Sequence, residues 1–120
     1  MTSFERFQKR LKGQTVDCPP NFDIMMQFAA HYIKKPLREY YLDYRVLVEA
    51  NLVMIEDFEL DIVQAISDPY REAFDLGLEV SFPDDALPLS QKPLLENASD
   101  LTKLKLLEPA NGKRMSDRLE

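Results

Sequence analysis

Apolar residues recur at helical spacing through most of the first half of the chain and then change pattern. Phe4, Phe7 and Leu11 lie on one stripe behind Thr2 and Glu5, which have capping-box spacing, and Gly13 ends the run. Val16 to Pro20 breaks the helix, because consecutive prolines remove donors and hold Cys18 extended. Asp23 is positioned to cap a second helix from Ile24 to about Lys34, with Met25, Phe28, Ala29 and Tyr32 on its core-facing stripe and Pro36 as its stop. From Leu37 to Phe58 the period stays helical, with a break near Asp43. Tyr40, Tyr41 and Tyr44 cluster at neighbouring turns and read as packing residues in preference to a partner surface.

The pattern changes at Glu59. Leu60, Ile62, Val63, Ala65 and Ile66 are apolar at both alternating sets of positions, the signature of a strand buried on both faces, as in a helix-covered parallel sheet. Ser67 and Asp68 follow, at the strand end where α/β folds bind ligands. The same residues also suit a helix start, since Ser and Asp are good N-caps, Pro69 fits the first helical position and Glu72 the first turn. Asp68 is thus a candidate catalytic acid or a cap. Pro69 to Leu76 reads as a short helix closed by Gly77, and Leu78, Val80 and Phe82 alternate as a half-exposed strand. Pro83, Pro88 and Pro93 make the next stretch a loop or loose hairpin. A capped helical turn at Ser99 to Leu104 precedes a turn at Pro109 and an amphipathic helix from Lys113, with Met115 and Leu119 on one face. The expected organisation is one domain or fragment: helices over 1–58, a strand-helix-strand unit over 59–82, a proline-rich loop over 83–98 and helices over 99–120.

Composition narrows the function classes. Apolar content of 45% and charged content of 30% are ordinary for a soluble protein, and no apolar run approaches the roughly 20 residues of a membrane span. With no signal peptide visible, a cytoplasmic location is the default. A net charge of −6 with scattered basic residues leaves no nucleic-acid footprint. Cys18 and His31 are each the only one of their kind, so no intrachain disulfide and no Cys/His zinc set can be built, and Cys18 reads as a buried or partly buried structural thiol.

Taken in order, RFQKRLKG with VDCPP, MMQFAAHY, FELDIVQAISDPYREAFDLG, and SDLTKL to NGKRMSDRLE resemble the N-terminal part of the uroporphyrinogen decarboxylase superfamily. No one of these motifs is specific; their order and spacing carry the resemblance. It implies an α/β fold, the helix-rich N-terminal portion of a (β/α)8 TIM barrel. At 120 residues, against roughly 250 for a whole barrel, that barrel is expected to be incomplete in this chain.

The resemblance further implies that Asp68 is the acid facing a tetrapyrrole's nitrogens in the decarboxylases, with Ser67 and Tyr70 beside it. The two arginines of the decarboxylases' MRQAGRY stretch, which hold substrate carboxylates, are replaced here by Gln27 and His31. Neither is a permanent bidentate cation. The run from Ser67 to Ala73 looks closer to the corrinoid-dependent methyltransferases, which imply a corrinoid protein as partner and a zinc site in the other half of the barrel. Three readings follow: a methyltransferase segment that is not catalytic alone, a tetrapyrrole carboxy-lyase, and a shortened binding or assembly module. No metal ligand is assigned to this chain. The apolar strand at an open edge leads to an expectation of self-association or pairing with the rest of the barrel.

Overall fold

The computed structural model describes residues 1–120. It contains six α-helices: α1 (Ser3–Leu11), α2 (Met26–Tyr32), α3 (Leu37–Leu42), α4 (Tyr44–Phe58), α5 (Arg71–Asp75) and α6 (Lys113–Ser116). Two 3-10 turns, Ala98–Lys103 and Pro109–Asn111, complete the regular structure. None of the helices is long and apolar enough to cross a membrane.

Local chemistry explains most of these boundaries. The Thr2 hydroxyl accepts from the Glu5 N–H, and the Glu5 carboxylate accepts from the Thr2 N–H, which is the capping box expected for α1. Asp43 ends α3 and caps α4, its carboxylate accepting the Arg45 N–H at 2.9 Å. Gly77 closes the turn after α5 at φ 108°, where a side chain would be strained. A cap at Asp23 is not formed: Met25 occupies the N-cap of α2 without a side-chain bond.

The core lies where α2, α3 and α4 meet. Ala29, Ala30, Leu37, Tyr40, Tyr41, Leu47, Ala50 and Met54 are buried there, so the first two tyrosines are packing residues as expected. The α2 stripe is rotated from the expected one. Ala29 enters the core as expected and Ala30 joins it, while Phe28 and Tyr32 remain about half exposed and pack with Phe58 at the surface. Outside this cluster burial is sparse, with 18 of 120 residues buried in all. The radius of gyration is 17.7 Å, against about 14 Å for a globular domain of this length. Helix α1 buries none of its residues, and Arg6 ties it to the body through Asp61 and Asp17. Cys18 is exposed, contrary to the expectation of a buried or partly buried thiol.

The largest difference from the sequence reading concerns strands. Neither the 59–66 strand nor the 78–82 strand forms; the one β contact is an isolated antiparallel bridge between Ser81 and Leu89, the base of the expected loose hairpin. From 59 to 69 the Asp61 N–H alone bonds to another backbone group, the Asn21 carbonyl at 2.7 Å. A strand is defined by its ladder, and no neighbouring segment of this chain lies alongside to supply one. Leu60 is buried, whereas Val63 and Ile66 are 41% and 46% exposed. The strand-helix-strand unit is therefore an extended segment, a short helix and a hairpin arm. The expected C-terminal helix is also shorter, ending at Ser116.

Candidate functional site

The extended segment ends in a buried charge cluster that joins three distant parts of the chain. Asp68, with its side chain 1% exposed, accepts two bonds from the Arg114 guanidinium: Nη1 to Oδ1 at 3.0 Å and Nη2 to Oδ2 at 2.5 Å. Arg114 Nη2 also donates to the Tyr41 carbonyl at 3.0 Å, and its guanidinium lies 4.7 Å from the centre of the Phe82 ring. Ser67 is a relay, accepting from Arg71 Nη2 and donating to Asp68 Oδ2, each at 2.8 Å. Arg71 Nη1 donates to the Arg114 carbonyl and lies 3.5 Å from Asp117.

Asp75 holds the other partner in place. Its carboxylate accepts the Arg114 and Met115 N–H groups at 2.7 to 3.1 Å, at the start of α6. A Cβ on Gly112 would stand 2.5 Å from Asp75 Oδ2, so a side chain there would push the Asp75 carboxylate away from its present position. The cap reading of Asp68 is partly realised as well, since Oδ1 accepts the Tyr70 N–H at 2.9 Å. Helix α5 itself begins at Arg71 with Tyr70 as its N-cap, so Pro69 lies in the preceding turn.

Burial pushes the Asp68 pKa up, but hydrogen bonds from Arg114, Ser67 and the Tyr70 N–H, with the Arg114 charge, bring it below the ordinary carboxylate value. A group depressed in the folded state contributes stability above its unfolded pKa of about 3.9 and loses it as pH falls through the folded value. Acid unfolding followed by circular dichroism is therefore expected to begin below about pH 4 and to move to lower stability but flatter pH dependence in Asp68→Asn. An unchanged slope in that variant would show that Asp68 does not couple folding to protons.

The five residues singled out in the sequence do not converge. Ser67 and Asp68 line a cavity of about 240 Å³ with Ala65, Ile66, Arg71, Glu72 and Arg118. Tyr70 faces a different cavity, beside Ala73 and Leu94. Gln27 lies near the buried Tyr41 hydroxyl, which has no hydrogen-bond partner of good geometry. His31 is exposed on α2, its Nε2 3.4 Å from an exposed Asp85. The sequence reading missed Arg71, Asp75, Arg114, Asp117 and Arg118; the only signal was the basic run around α6, whose partners lie some 40 residues earlier. No three or more His, Cys, Asp or Glu side chains converge.

No curated protein and no solved structure matches the chain. The family model described as uroporphyrinogen decarboxylase (URO-D) matches residues 2–120, a family that implies a TIM barrel. With the match running through α1, the extended segment and the Asp68–Arg114 cluster alike, this chain belongs to the uroporphyrinogen decarboxylase (URO-D) family.

Proposed function

We propose that the chain forms the N-terminal, site-bearing part of a methyltransferase-type member of this family, acting with further barrel strands and a corrinoid protein in the cytoplasm. The observation that carries the choice against a carboxy-lyase is the pair of positions that resemble the decarboxylases' arginines. Gln27 is neutral and half-buried near Tyr41, and His31 is exposed and faces Asp85, so the two make no convergent cation clamp. The open apolar segment at 59–66 supports the need for further strands, because an unpaired edge with exposed Val63 and Ile66 is a template for pairing. Either a continuation of the polypeptide or a second chain could supply them, and self-association is one form of that pairing.

On this reading Asp68 stays ionised and acts by holding Arg114 in the buried cluster and Ser67 at the wall of the cavity, not as a proton carrier. Zinc, which would activate a thiol, is left to residues outside this set. The test uses the natural gene product, its intact mass first compared with that of these residues. It is then incubated with methylcobalamin, a thiol and zinc, and separately with uroporphyrinogen. Thiol-dependent demethylation is expected; release of carbon dioxide from uroporphyrinogen without methyl transfer would defeat the proposal.

A further inference from the structure

We propose that helix α1 of one copy of this chain docks on the outer face of α4 of a second copy, and that two such contacts, exchanged about a two-fold axis, hold a dimer. Both helices present apolar stripes that nothing in the chain covers. On α1, Phe4, Phe7 and Leu11 share one side, with Phe4 71% and Leu11 67% exposed. On α4, Leu47, Ala50 and Met54 face the core, and Val48, Leu52 and Ile55 line the other side, with Val48 46% and Leu52 53% exposed. Each stripe advances two helical turns, about 10 Å, so the two match in length.

Charge selects the partner. Helix α1 carries three basic residues against one acid, and α4 three acids against one base, in a chain of net charge −6. By helical position Arg10 and Lys12 stand on either side of the α1 stripe, and Glu49 and Glu56 along one side of the α4 stripe. All four are exposed and none takes part in an ion pair. A contact of α1 with α1, or of α4 with α4, would bring like charges together, whereas α1 on α4 brings opposite ones. A chain does not satisfy its own α4 in this way, because Arg6 holds α1 at Asp61, past the end of that helix. One contact between helices two turns long covers too little surface for a stable complex, which wants roughly 1,000 Å². A two-fold dimer makes the contact twice. The inference does not rest on methyl transfer, since its readout is mass, and it uses neither Val63 nor Ile66 of the unpaired segment.

The natural gene product is taken through sedimentation equilibrium from about 5 to 500 µM. The expected result is a monomer–dimer equilibrium with a dissociation constant on the order of 10–100 µM, as suits a small interface, weakened by added salt. Well below that range the monomer prevails and Leu52 is uncovered. Arg10→Glu with Lys12→Glu, and separately Glu49→Lys with Glu56→Lys, are each expected to weaken the dimer about tenfold or more. An equimolar mixture of the two variants is expected to restore it, because every reversed charge then meets its opposite. The substituted residues are exposed, so the fold is retained. A monomer at every concentration, as when a continuation of the polypeptide covers both stripes, overturns the proposal. Self-association that neither variant weakens belongs to another surface and overturns it too, as does a mixture that fails to recover. Retention of α1 on phosphatidylserine vesicles without self-association would assign its stripe to a lipid surface, with the same consequence.

Discussion

Arg114→Met is expected to destabilise the protein by about 3–5 kcal/mol, because it leaves the Asp68 carboxylate buried without its counter-ion. Total stabilities of single domains are about 5–15 kcal/mol, so a loss of this size would leave little folded protein near physiological temperature. The pair itself is a different matter. Desolvating two charges offsets most of their attraction, and Asp68→Leu combined with Arg114→Met is expected to recover much of the lost stability. Urea unfolding of the two single variants and the double variant measures the coupling. If Arg114→Met alone costs under about 1 kcal/mol, the cluster is not what joins α6 to the extended segment.

Met54→Ala is expected to cost about 2–5 kcal/mol, the range for truncating a long apolar side chain in a packed core. Met54 is fully buried on α4, in the cluster it shares with Ala29, Ala30 and Tyr41. Leu52, two residues earlier on the same helix, is 53% exposed, and Leu52→Ala is expected to fall within about 0.5 kcal/mol of wild type. Thermal or denaturant unfolding of both separates packing from helix propensity, since the two substitutions end in the same residue. Equal losses would mean that the side of α4 carrying Leu52 is covered in solution by something that joins the core.

Arginine recognition in this chain could not be seen from spacing. Asp68 and Arg114 are 46 positions apart, and nothing local to the run from Ser67 to Arg71 indicates that its carboxylate is committed to α6. The sequence reading brought together Ser67, Asp68, Tyr70, Gln27 and His31, and of these only the first two share a cavity. Candidate sites assembled from a family resemblance inherit the partners of the relatives.

What the sequence by itself determined is whatever a few neighbouring residues can enforce. The Thr2 and Glu5 capping box, the Asp43 hinge between α3 and α4, the left-handed turn at Gly77 and the proline-rich arm all form as their chemistry requires. The order of motifs likewise carried the family. Tertiary structure alone decided the rest. It turned Ala30 inward beside Ala29 and left Phe28 and Tyr32 half exposed, left Cys18 exposed, and kept 59–66 extended without a ladder. The physical reason is the range of each interaction: a cap or a left-handed glycine closes within one turn of chain, whereas a strand, a buried ion pair and a core face exist only when a distant segment supplies the other half.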